Sequence, residues 1–261
     1  PESGIGTVNT IRNTKFETTF TGEVGLRGNY STIFNYAMEV SPVDESNLNQ
    51  SLIIVTPNTI DYGGITEMWT DGSAIAFCPL SEDSYPYDAR GIIQHEAGGH
   101  GFGKLGDEYI YHNTFIDFCD CTCCEHVFEF NIAKSLGWYE NLSLTGKMHE
   151  VPWSHLIFDD RYSDVVDIYE GGFMHARGVF RSEQNSCMNN NISYYNAISR
   201  EAIVKRIMEY AGESYSFEKF VENDKRDAVN SLSRSAERPG VTVRGNQYAP
   251  RIHKGKPDIL K

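Results

Sequence analysis

The chain is short of basic charge. Its 261 residues hold 23 Lys and Arg against 36 Asp and Glu, a formal net charge of −13. A face for nucleic acid or for an anionic membrane needs clustered basic side chains, so neither is an expected partner. Long apolar runs are missing as well: nothing approaches the roughly 18 residues of a membrane span. Internal repeats are absent. So is the ligand spacing of an EF-hand around Asp159, Asp160 and Asp164, which reads as a solvated acidic loop rather than a calcium site. No signal peptide is visible, but the chain opens at Pro1 without methionine and reads as a mature or trimmed piece, so export stays open. Cysteine is scarce outside one run. Cys78 and Cys187 stand alone, and the other four crowd into Cys119-Asp120-Cys121-Thr122-Cys123-Cys124. Those gaps are too tight for four thiolates on one tetrahedral ion, so disulfides within the run, or to Cys78 and Cys187, are expected ahead of a structural metal.

What is present is His95-Glu96-Ala97-Gly98-Gly99-His100-Gly101-Phe102-Gly103-Lys104-Leu105-Gly106-Asp107-Glu108. It reads as the zinc-peptidase signature H-E-x-x-H with one residue too many. On an ideal α-helix, positions four apart lie nearly in line, while positions five apart diverge by about 140°. A π-type turn, with i→i+5 hydrogen bonds, brings residues five apart back onto one face, and such turns concentrate at functional sites. Gly98 and Gly99 suit it, having no Cβ to obstruct it. The expectation is therefore one continuous helix whose ladder widens around 97–99 and carries both histidines to one ion. Gly103 then stops the helix and swings the chain back, as in H-E-x-x-H-x-x-G proteins. A catalytic zinc needs three protein donors and an open position. His95, His100 and Asp107 supply them, with Glu108 as the alternative third. Two nitrogens and an oxygen favour Zn²⁺ without excluding iron or manganese. Glu96, next to the first ligand, is placed as general base.

The run HEAGGHGFGKLGDEY resembles the IgA peptidase family, metzincin-like bacterial zinc endopeptidases, at Gly103, Leu105, Asp107, Glu108 and Tyr109. It departs from that family by the inserted residue. The insertion resembles dipeptidyl peptidase III, whose motif is H-E-x-x-x-H followed by G-x-G-K-L. The first resemblance covers most of the chain, to the helix after residue 198, and implies a zinc-dependent endopeptidase acting on a protein or peptide, outside the cell, in the periplasm or at the cell surface. It also gives Asn185-Ser186-Cys187-Met188-Asn189 the look of a Met-turn, with Met188 under the metal. Tyr194 and Tyr195 just past it are candidates to support an oxyanion, against a plain reading as half-buried tyrosines. The competing class is a metallopeptidase-like surface module that binds glycan or protein and cleaves nothing.

The fold class expected is α+β, with an α/β upper half. The resemblance implies a metzincin-like zincin: a mixed sheet with an edge strand and the active helix, above a largely irregular lower half that ends in a helix. Residues 14–20 and 51–56 read as strands, and Tyr30 to Val40 as a short amphipathic helix. Tyr62 to Trp69 and Ser73 to Cys78 read as a hairpin around Asp71-Gly72. The resemblance implies that the second of these strands, just before the active helix and with small Ala74 and Ala76, lies at the sheet edge, where an extended peptide could add a strand. A helix is expected at Glu125 to Leu136, irregular chain over 139–185, a helix capped by Ser199 running to Tyr210, and a short one near Phe217 to Asp227. Residues 1–230 make the catalytic domain and 231–261 an extended tail. His175, Arg177 and Arg181 are candidates to line the substrate side; His112 and His126, flanking the cysteine run, read as surface histidines that could join a metal site.

Overall fold

The computed structural model describes residues 14–21, 25–117, 123–224 and 249–259. It is a mixed α/β chain with open mixed sheets, consistent with the α+β class, and it divides into two compact units, Pro1–Phe102 with Arg244–Lys261, and Gly103–Val243.

The first unit is built on a sheet. Strands β1 (Thr19–Thr21) and β2 (Gly25–Arg27) form an antiparallel ribbon. Helix α1 (Tyr30–Ala37) starts where the Asn29 side chain accepts a hydrogen bond from the Thr32 N–H, satisfying one of the orphan donors of a helix N-terminus. Strands β3 (Leu52–Val55), β4 (Ile65–Trp69) and β5 (Ala74–Phe77) follow, and β10 (Arg251–His253) returns from the far end of the chain. The sheet order is β10-β4-β5-β3, with β4 and β5 antiparallel and the outer pairings parallel. The β4–β5 hairpin turns at Asp71-Gly72 as its sequence suggests. Gly72 takes φ +102°, and the Asp71 carboxylate accepts from the Ser73 N–H.

Strand residues alternate between faces, and the two faces of β5 differ. Ile75 and Phe77 join Ile33, Phe34, Leu26, Val55, Ile65 and Trp69 in one apolar core under α1. Ala76 and Cys78 face the other way, onto Ile92 and Ala97. Their small size lets helical backbone approach the sheet closely. Cutting Phe34 to alanine in the first core would cost about 3–5 kcal/mol.

Strand β5 is not an edge. It lies between β4 and β3, which form ladders with both its sides. The expected peptide-binding edge at Ala74 and Ala76 is therefore corrected: both residues are buried inside the sheet. The periodicity of residues 73–78 gave the strand but not its neighbours. Parallel pairing with β3 spans a connection that local pattern does not reveal.

The second unit holds β6 (Ile110–Phe115), α3 (Cys123–Ser135), β7 (Leu142–Ser143), α4 (Ser154–Ile157), β8 (Tyr169–Gly172), β9 (Met174–Arg181), α5 (Cys187–Asn190), α6 (Ala197–Ala211) and α7 (Phe217–Asn223). Strand β9 is central: β6 pairs with it in parallel, β7 and β8 antiparallel. The stretch 139–185, expected to be irregular, thus contains three strands. Its period was hidden by a bulged β8–β9 turn, in which Gly171, Gly172, Phe173 and Met174 all have positive φ. Trp153, Leu156, Tyr162, Val166, Ala197, Ile198 and Phe220 form its core. Helix α6 is capped by Asn196, whose side chain accepts from the Ser199 N–H, so the cap lies three residues before the expected Ser199. The strand expected over 14–20 is confined to Thr19–Thr21. The expected tail falls mostly outside the described residues, but its described end forms β10. There Arg251 and His253 hydrogen-bond the fully buried Glu67 carboxylate.

Candidate metal centre

Helix α2 (Ala89–Ile93) begins where the Asp88 carboxylate accepts from the N–H groups of Arg90 and Gly91. It runs on without a break into a π-helix, Gln94–Phe102. The inserted residue is absorbed by this wider winding over the whole motif, a longer stretch than the single turn expected at 97–99. As the angular argument requires, His95 and His100 then share a face. Their Nε2 atoms lie 3.1 Å apart, with ring centroids at 4.8 Å and planes at 77°. Two nitrogens on one tetrahedral zinc at about 2.0–2.1 Å would sit roughly 3.3 Å apart.

His95, His100 and Asp107 are all buried, and one ligand atom from each lies within 4.8 Å of the others; among the described residues no other group of three His, Cys, Asp or Glu side chains meets that separation. This buried group could hold a metal ion. An imidazole pair facing nitrogen to nitrogen, with a carboxylate, fits a divalent cation.

Glu96 is held from β4. The Thr66 hydroxyl lies 2.9 Å from both the Glu96 carbonyl oxygen and its Oε2. Gly64 leaves the room: a Cβ there would stand 2.7 Å from Glu96 Cγ and Oε1. Gly101 plays the matching part for β3, where a Cβ would meet Leu52 Cδ1 at 2.8 Å. Neither Gly64 nor Thr66 was singled out from sequence. The available signal was Gly63-Gly64 at the mouth of a strand, which often marks close backbone approach. Burial, with the Glu96 charge beside it, pushes the Cys78 thiol well up. Cys78 and Cys187 are both buried and neither forms a disulfide, so the expected disulfides to these two are corrected. The run 119–122 lies outside the described residues.

In the second unit the segment carrying Asp107 is clamped from several directions. Lys104 adopts φ 52° after Gly103, and Leu105 packs with Met188 and Ala202. Asn141 binds both backbone groups of Gly106, at 2.9 and 2.8 Å. The Phe173 N–H donates to the Asp107 carbonyl oxygen and the Glu108 N–H to that of Met188, both at 2.8 Å. The Glu108 carboxylate is fully buried and accepts from Asn141 Nδ2 (2.9 Å), Asn196 Nδ2 (2.7 Å) and Ser186 Oγ. Burial raises its carboxyl, although these three donors work the other way. Of the two adjacent acids, Glu108 is thus engaged as a hub and Asp107 joins the histidines. Asn141, Ser186 and Asn196 were not identified from sequence as parts of this device.

Met188 lies in the one-turn helix α5, closed by Asn191 in the left-handed region, and is fully buried against Leu105. The other candidates are occupied internally. Tyr194 is buried and donates to Glu183 Oε2 at 2.7 Å. Tyr195 bonds toward Cys187, and burial raises its phenol. Arg181 is buried and donates to the carbonyl oxygens of Glu170 and Gly171. His175 is fully buried, and Arg177 stacks over Phe115. Arg181, His175 and Tyr194 are thus engaged by neighbours within the second unit. Asp159 is bound by Arg161, which holds its carboxyl down to about 2.

No family model matches the chain, and no curated protein matches it.

Proposed function

We propose that the chain is a zinc-dependent endopeptidase, cutting a protein or peptide substrate outside the cytoplasm by a Glu96-assisted attack of water on a peptide carbonyl. The observation that carries the reading is the buried convergence of His95, His100 and Asp107 beside Glu96. His95, His100 and Asp107 would hold a divalent ion, zinc by the fit of two imidazoles and a carboxylate, which would supply Lewis acidity toward a water and a peptide carbonyl.

The chain's own groups do the rest. Glu96 takes a proton from the attacking water at its carboxylate and delivers it to the departing amine nitrogen, which must be protonated for the C–N bond to break. Thr66 fixes one carboxylate oxygen for this, and Gly64 leaves the side chain its space. Asn141, Ser186 and Asn196, through Glu108, hold the segment that offers Asp107. The metzincin plan, and the place of Met188 within it, belong to this proposal.

The test is peptide-library cleavage by the zinc-loaded protein with Glu96→Gln as control. The variant keeps the shape and removes the base. Its expected loss is about 10²–10⁴-fold in kcat, with zinc content unchanged. Near-full activity in the variant would refute the mechanism. A zinc-replete wild type that cleaves nothing would favour a binding module.

A further inference from the structure

A second histidine pair lies within the second unit. Helix α3 presents His126 and strand β9 presents His175. The His126 Nδ1 and His175 Nε2 atoms face each other at 2.9 Å, with ring centroids at 5.2 Å and planes at 71°. This closely repeats the arrangement of His95 and His100, at 3.1 Å, 4.8 Å and 77°. A third imidazole is close. His112 on β6 is the register partner of His175, exposed, with its ring centroid 5.6 Å away.

The surroundings are those of a ligand set. The far nitrogen of His175, Nδ1, lies 3.1 Å from Thr114 Oγ1. Histidines that bind metals almost always engage their other nitrogen in this way, which fixes ring and tautomer. Phe173 stands edge-on to His126 with centroids 5.9 Å apart and walls one side with apolar surface.

We propose that His126 and His175, joined by His112, form a second metal site, distinct from the one at His95 and His100, for a late first-row divalent ion of the zinc class. Imidazole donors suit such ions. The exposed His112 ring can turn in on binding, since exposed rotamers exchange within nanoseconds. The site would tie α3 to β6 and β9. The comparison with His95 and His100 rests on the proposed function, but the facing nitrogens and the Thr114 contact stand without it.

The experiment is a cobalt(II) titration of the full chain followed by its visible absorption. The first donor set is removed by His95→Asn/His100→Asn. That background is expected to bind one equivalent with a nitrogen/oxygen spectrum, lacking the near-ultraviolet band of a thiolate ligand. Adding His126→Asn should abolish it, with the circular dichroism unchanged. Thr114→Val should weaken it by about 10–100-fold, as loss of an outer contact does, and it decides the matter if His126→Asn fails to fold. Cobalt uptake indifferent to both changes, or a thiolate spectrum, would overturn the proposal and show the pair to be an ordinary N–H···N hydrogen bond. Failure of the first site reads differently: wild type would bind one equivalent, untouched by His95→Asn/His100→Asn.

Discussion

Glu108→Ala and Asp107→Ala separate two adjacent carboxylates by what each does to the metal-free protein. Glu108 accepts three hydrogen bonds in a site closed to water. Removing it strands Ser186 Oγ, Asn196 Nδ2 and one N–H of Asn141, whose other N–H serves Gly106. A buried polar group left unsatisfied costs about 1–3 kcal/mol. Part of that gross loss is returned, because the buried carboxylate carries its own desolvation cost. A net loss of about 3 kcal/mol is expected, roughly 150-fold in the folded-to-unfolded ratio, or about 6–12 °C in midpoint for a chain of this size. Asp107→Ala should cost less in the metal-free state and more in metal affinity. Glu108→Ala should lower affinity by only about 10–100-fold, as a second layer of contacts does. The assay is thermal unfolding in chelator by circular dichroism, with zinc titration alongside. A metal-free Asp107→Ala as unstable as Glu108→Ala, or a neutral Glu108→Ala, would refute the division of roles.

Gly64→Ala places a Cβ 2.7 Å from the Glu96 carboxylate and 3.0 Å from Ile92; it should cost about 1–3 kcal/mol and about 10² in kcat, with zinc content unchanged, which peptide kinetics and metal analysis read together. Burial works to raise the Glu201 carboxyl, but hydrogen bonds from His155 and Tyr215, both 2.7 Å, and the Lys205 charge hold it below the ordinary 4.5. The folded protein therefore binds that proton less tightly than the unfolded chain, so this stability is present above pH 4.5 and lost as pH falls through the lowered value. Glu201→Gln should flatten that acid limb in a plot of unfolding midpoint against pH; an unchanged slope would count against the assignment.

Much of the candidate site was legible because its central residues are consecutive. The five-residue spacing of His95 and His100, with Gly98-Gly99 between, demanded a wider helical turn, and a π-helix is what forms. The choice between Asp107 and Glu108 was not legible. Two neighbouring acids look alike until Asn141, Ser186 and Asn196 arrive from distant parts of the chain to occupy one of them. The same limit hid Thr66 behind Glu96 and His175 behind His126. Strand existence was readable from apolar alternation at Ile75 and Phe77, while strand order was not. The interior place of β5 depends on a parallel partner outside its own hairpin. Strands β8 and β9 escaped because glycines and bulges break the period that marks a strand.

The most direct test of the central claim is an X-ray structure of the zinc-loaded protein with anomalous data at the zinc edge. The account predicts a peak about 2.0–2.2 Å from His95 Nε2, His100 Nε2 and an Asp107 carboxylate oxygen, on a helix still wound in the π form through Gln94–Phe102. A peak ligated by Glu108, or no zinc at the His95–His100 pair, would contradict it.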